Sequence, residues 1–181
     1  MKRSSTVDNS DPFRLNMRDS KEWRPTSYRS HTIGQVIELG NSLIGTEVTI
    51  CGYAETVRGR GAICFLMLRD GTGKIQAFLK RDNMDESLFD SIQSASREST
   101  IRVSGIVAQK RPPKVKEGAP TPPPEYEVNV SSGEILAQAS TPLPVGVIDD
   151  VQVGLDIRLD NRHLDLRRDH VNAMFQLRSR V

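Results

Sequence analysis

Cysteine and histidine are both scarce in this chain. Two cysteines, Cys51 and Cys64, and three histidines scattered from His31 to His170 make no metal-ligand spacing. The cysteines fall inside stretches that read as strands. They are expected to be reduced, small core residues of a cytosolic protein. Long apolar runs are also missing, which excludes a membrane span and a signal h-region. Nor is there a dominant charge. Lys and Arg number 25 against 23 Asp and Glu, a net charge of +2. An anionic partner must therefore meet a local basic patch, because the molecule as a whole is barely cationic. The start MKRSST is basic and Ser-rich, but Asp8 and Asp11 follow at once, which disfavours a mitochondrial transit peptide. What is present fits one ordinary domain with tails: 181 residues, 36% hydrophobic and 27% charged.

The clearest local signal is Ala62–Leu79, AICFLMLRDGTGKIQAFL. It alternates, turns on Asp70-Gly71-Thr72-Gly73, and alternates again, which predicts a hairpin. Pairing the arms about the turn sets Leu68 opposite Ile75, Met67 opposite Gln76 and Phe65 opposite Phe78. One face then carries Cys64, Leu66, Leu68, Ile75, Ala77 and Leu79, a core face. The other carries Phe65, Met67, Arg69, Lys74, Gln76 and Phe78. Two aromatics beside an amide and two cations would suit a nucleobase-stacking platform. A second layer covering the same face would make the phenylalanines core instead. On pattern alone both stand.

Residues 1–31 are polar, weakly periodic and broken by Asp11-Pro12 and Arg24-Pro25, and read as a flexible extension. Thr32-Ile33-Gly34-Gln35 is a capping box. It opens a short helix that Gly40 closes. Val48–Val57 is a long first strand with Gly52 as its bend or bulge. Arg58-Gly59-Arg60-Gly61 reads as a mobile cationic loop into the hairpin. A helix is expected over Met84–Ala95, capped by Asn83 and Glu86, with Met84, Leu88, Ile92 and Ala95 as its apolar stripe. A strand follows at Thr100–Ala108, with Ile101, Val103 and Val107 inward. Arg111–Glu125 is a Pro-rich surface loop. Tyr126–Ser131 is the next strand, and Gly133–Ala139 a further short one. Pro142 and Pro144 mark a domain edge.

Strand, strand, strand, helix, strand, loop, strand is the order of an OB-fold. That is a mainly β, closed five-stranded Greek-key barrel with a helix between the third and fourth strands, here with a short N-terminal helix and a C-terminal linker and helix. Its second and third strands with their flanking loops form the usual oligonucleotide surface. The opening hairpin is that pair.

Past the barrel, Leu155–Arg168 reads LDIRLDNRHLDLRR. Spacing alone says a charged connector with internal salt bridges. The segment resembles the linker after the anticodon-binding domain of class II aminoacyl-tRNA synthetases of the aspartate, asparagine and lysine group. Arg158–Arg162, with Leu143-Pro144 and Asp149-Asp150 before it, looks most like the aspartyl-tRNA synthetases of eukaryotic cytosol. Asn172–Val181 looks like the opening of the first catalytic-domain helix. The resemblance runs from about Thr32 to the end. It implies an OB domain over 32–141, a linker over 142–168 and the start of a catalytic domain over 169–181.

It also implies roles. Phe65 matches the aromatic that stacks on an anticodon base. Gln76 matches the glutamine that hydrogen-bonds the central uridine, and Arg58 an anticodon-contacting arginine. Glu127 matches a carboxylate that accepts from the first anticodon base. Arg60 and Lys74 would supply charge for the RNA backbone. The partner implied is tRNA-Asp, with anticodon GUC. The chemistry agrees independently: an amide both donates and accepts, so it reads a uracil edge, while a carboxylate only accepts and suits the N–H donors of guanine.

The family's lysine-rich N-terminal helix and its ATP-gripping Phe-Arg-x-Glu and late Gly-x-Gly-x-Asp/Glu-Arg segments have no counterpart here. The chain is therefore expected to be a catalytically inactive, monomeric fragment of a cytoplasmic enzyme. That parent would use ATP and Mg2+ and dimerise through its catalytic domain. A general single-strand-binding OB module is the alternative, and asparaginyl or lysyl relatives read the same central uridine.

Overall fold

The computed structural model describes residues 28–110, 124–148 and 152–180. Its hairpin has the register the alternation dictates. Strands β2 (Ile63–Arg69) and β3 (Lys74–Lys80) pair antiparallel, with Leu68 opposite Ile75, Met67 opposite Gln76 and Phe65 opposite Phe78. The turn is held by one side chain. Asp70 Oδ1 accepts from the Thr72 and Gly73 amides at 2.7 and 3.0 Å. The other carboxylate oxygen, Oδ2, accepts at 3.0 Å from the Ile33 amide. The hairpin turn thus caps the first helix, α1 (Ile33–Leu39), whose Thr32–Gln35 capping box forms as expected. Gly40 ends α1 with φ 40°, and any side chain there would meet the Tyr126 ring at 2.6 Å.

β1 (Glu47–Arg60) precedes the hairpin. Helix α2 (Glu86–Gln93) follows it, then β4 (Thr100–Gln109) and β5 (Tyr126–Ala137). The five strands close a barrel in the order β1-β2-β3-β5-β4. All contacts are antiparallel except β3 with β5, which pair in parallel at Gln76–Glu127, Ala77–Val128 and Phe78–Asn129. This is the OB-fold expected, with its helix between strands three and four. The core is the set of inward positions. Ile50, Leu66, Leu68, Leu79, Ile101 and Val103 are all fully buried, and Phe89 and Ile92 of α2 plug one end.

Several local expectations are corrected. Arg58–Gly61 is not a loop: β1 continues through Arg60, because Arg58, Gly59 and Arg60 find partners in Phe65, Cys64 and Ile63. The β1 irregularity lies between Ala54 and Thr56, not at Gly52. Gly52 serves close approach instead, since a Cβ there would lie 2.9 Å from the Arg69 carbonyl. Helix α2 is shorter than Met84–Ala95 and is capped by Asp85, whose side chain accepts from the Leu88 amide. Of its two fully buried residues, Ile92 lies in the expected stripe and Phe89 outside it. Tyr126–Ala137 is one strand, carried past a register shift at Ser104/Gly105.

Beyond the barrel come α3 (Leu155–Asp160), α4 (Arg162–Asp165) and α5 (Asp169–Arg180). The charged connector is folded around Asp165, which is fully buried. It is paired with Arg158 at 2.8 Å and Arg162 at 3.1 Å. The Arg158 hydrogen bond holds the Asp165 carboxyl below the ordinary aspartate value, against the opposing effect of burial. Leu164 packs with Val145 and Val147 in a small second core. At the other end of the chain, residues 1–27 lie outside the described residues. Just after them, the Ser30 amide donates to the Thr49 carbonyl at 2.8 Å, tying the chain to β1.

Candidate nucleic-acid interface

Cross-strand partners share a face, so the outer surface of the barrel can be read as rows. One row runs Arg58–Phe65–Phe78–Asn129 across β1, β2, β3 and β5. The next, two residues along, runs Thr56–Met67–Gln76–Glu127. The first is the aromatic row. Phe65 is 40% exposed, and its ring centroid lies 5.4 Å from that of half-buried Phe78, tilted by 46°. The alternative in which a second layer covers this face does not hold at Phe65. An exposed, pre-paired aromatic surface bordered by an arginine is what a flat base can stack on.

The second row is polar at one end. Gln76 Nε2 donates to Glu127 Oε2 at 2.9 Å. The two residues are 51 positions apart in the sequence, and the parallel β3–β5 pairing makes them neighbours. Arg58 and Arg60 stand exposed at the end of β1. Neither forms an ion pair with any described residue.

Lys74 is placed differently. It reaches Glu55 at 3.2 Å and Asp169 of α5 at 3.5 Å. Burial works against its ammonium, but the hydrogen bonds and charge from Glu55 and Asp169 outweigh it and raise its pKa. It lies apart from the Phe65 row, at the far end of the hairpin. Its cross-strand partner Arg69 lies on the expected outer face, but the linker covers it and buries its side chain, a correction to its expected exposure. Arg69 donates to Glu98 at 2.8 Å and to the Arg167 carbonyl at 3.0 Å. Arg167 in turn pairs with Glu98 at 3.2 Å and stacks on Tyr53 at 4.1 Å. The linker therefore occupies the row Tyr53–Arg69–Lys74. It leaves a cleft of about 490 Å³ beside α5 and the aromatic and amide rows open.

Two residues of the open rows escaped sequence reasoning. Thr56 enters through the β1 register shift, and exposed Asn129 through the β3–β5 closure. Neither is signalled by local alternation. The two thiols lie away from the platform chemistry. Burial pushes both Cys51 and Cys64 up, the latter inside the core.

Residues 48–136, which contain every residue of these rows, match the anticodon family model described as an OB-fold nucleic acid binding domain. The barrel belongs to the tRNA anticodon-binding OB-fold family. Curated relatives of this anticodon-binding domain carry it in ligases. The chain is 39% identical over 137 residues to the aspartate–tRNA(Asp/Asn) ligase of Haloferax volcanii, covering 76% of this chain and 30% of that protein. It is 40% identical over 133 residues to the aspartate–tRNA(Asp) ligase of Picrophilus torridus, covering 74% and 29%. Among solved structures, the aspartyl-tRNA synthetase of Entamoeba histolytica superposes with a TM-score of 0.66 at 29% identity. That match covers 78% of this chain and 34% of that one. The asparaginyl-tRNA synthetase of Pyrococcus horikoshii gives 0.63 at 30%, covering 78% and 30%. The chain thus spans about a third of the length of these relatives. Among the described residues, no helix is long and apolar enough to cross a membrane.

Proposed function

We propose that this chain is the anticodon-reading module of an aspartate–tRNA ligase, binding the splayed anticodon loop of tRNA-Asp on the outer face of β1, β2, β3 and β5. The observation that carries the reading is the adjacency of two rows: an exposed aromatic pair, and an amide hydrogen-bonded to a carboxylate. In this reading Phe65 stacks under the central uridine and Gln76 hydrogen-bonds its edge. Glu127 accepts from the N–H groups of the first base, guanine. Arg58 and Arg60 meet phosphate or base from the adjoining strand. Stacking contributes about 1–3 kcal/mol per base and tolerates any base, so discrimination falls to the polar pair. Lys74 contributes to the RNA surface only once it leaves Glu55 and Asp169. The whole enzyme would activate aspartate with ATP and Mg2+ and esterify it to tRNA in the cytoplasm, as a dimer through its catalytic domain. Among the described residues, no group of three or more carboxylate, thiol or imidazole ligands lies together to hold a metal.

The test is binding of anticodon stem-loops at one fixed salt concentration. The wild type is expected to prefer a GUC loop over one with the central U replaced by about tenfold, or 1.4 kcal/mol. Gln76→Ala is expected to erase that preference without abolishing binding. If both proteins bind both loops alike, the face is a generic stacking surface and the reading fails. A GUU loop run in parallel separates aspartate from asparagine specificity, since the two differ only in the third anticodon base.

A further inference from the structure

We infer that Glu127 sets the identity of the central base without touching it, by fixing which way the Gln76 amide faces. The inference rests on the reading proposed above and adds to Glu127 a positioning role toward a second base.

A carboxylate has no proton to give at neutral pH and can only accept. At 2.9 Å from Glu127 Oε2, the Gln76 side-chain atom must therefore be the NH2 nitrogen. The two ends of a glutamine amide are nearly equal in shape and are told apart by their hydrogen-bond partners; here the neighbour's chemistry decides between them. Gln76 and Glu127 are direct partners in the parallel β3–β5 ladder, so the backbone holds the two side chains on one face at a fixed spacing. Both are half-buried, so water competes weakly for the bond.

The consequence is directional. With its nitrogen committed to Glu127, the amide turns its oxygen to the other side. That oxygen has no partner among the described residues. An acceptor there selects a base that offers a donor at the same place. Uracil offers N3–H, whereas cytosine has an unprotonated N3 acceptor. A free amide could rotate by half a turn, present N–H instead, and take cytosine. The carboxylate is what forbids that rotation. A glutamine at 127 would not, because it can donate or accept and so satisfies either orientation of Gln76.

The experiment compares wild type, Glu127→Gln, Glu127→Ala and Gln76→Ala against three stem-loops. These carry GUC, GCC and AUC, which changes the central and first bases separately. Thermal melting and backbone amide spectra confirm that each variant keeps its barrel. The wild type is expected to prefer GUC over GCC by about tenfold. Glu127→Gln is expected to shrink that ratio to within about twofold even though the first base is unchanged, and Glu127→Ala to do the same. In the free protein, the Gln76 side-chain amide protons should be shifted downfield and slow to exchange, and should lose both properties in Glu127→Ala. If Glu127→Gln weakens GUC but keeps the full GUC-to-GCC ratio, losing only the GUC-to-AUC ratio, the carboxylate reads the first base alone and the inference is wrong while the proposed function survives. If the wild type itself does not separate GUC from GCC, the proposed function falls and the inference with it.

Discussion

Phe65 and Leu66 are adjacent in the chain and opposite in role. Leu66 is fully buried in the barrel, whereas Phe65 is 40% exposed. Leu66→Ala is expected to cost about 2–5 kcal/mol of unfolding free energy in urea titrations, from lost transfer and the cavity left behind. Phe65→Ala is expected to leave the urea midpoint nearly unchanged and to weaken stem-loop binding by about tenfold, the scale of one lost base stack. A large loss of stability in Phe65→Ala would mean that the ring is core after all. Asp165 makes a pH prediction at the same scale. Its folded pKa is depressed by Arg158, so its contribution is fully present above its unfolded value of about 4 and is lost as pH falls through the lower folded value. Hydrogen-exchange protection over residues 155–168, taken relative to intrinsic exchange at each pH, should fall on acidification through that window in the wild type. In Asp165→Asn it should already be low at neutral pH and show no such step.

Elements were legible where local pattern decides them. The β2–β3 hairpin was readable because period-2 alternation and an Asp-Gly turn fix register with no help from elsewhere, and the Thr32 box for the same reason. The end of β1 was not. Arg58-Gly59-Arg60-Gly61 looks like a loop locally, yet β2 supplies partners through Arg60. The start of α2 was misread because Asn83 and Asp85 are equally good caps. Asp85 prevails because Arg81–Asn83 form a 3-10 turn ahead of it. Glu98 was invisible, since nothing near it in sequence announces a buried anion between Arg69 and Arg167. It sits at φ 67°, in the left-handed region that favours glycine. Glu98→Ala keeps that backbone cost and strands two arginines, so it is expected to lower stability by about 3 kcal/mol. Glu98→Gly relieves the backbone and should recover about 1 kcal/mol of that loss in the same denaturation assay. Equal losses in the two variants would contradict the strain argument.

At the scale of the molecule, barrel closure makes the site. Phe65 and Gln76 were placed on one face by alternation alone. Glu127, some fifty positions on, joins them only because β5 docks in parallel on β3, a pairing that no local signal encodes. The linker then takes the Tyr53–Arg69–Lys74 end of the same surface, so charge for the RNA must come chiefly from the β1 end. Replacing Arg58 or Arg60 by Gln is accordingly expected to reduce the slope of log K against log salt by about 0.7 each. The same change at Lys74 should have a smaller effect.

Whether the β1–β2–β3–β5 face holds the anticodon bases is read from a titration of the isotopically labelled chain with a GUC stem-loop, following backbone and side-chain resonances. The largest shifts are expected to cluster on Arg58, Phe65, Gln76, Phe78, Glu127 and Asn129. Helix α2 and the cleft beside α5 should change little. Shifts concentrated in that cleft, or spread evenly over the surface, would contradict binding at that face.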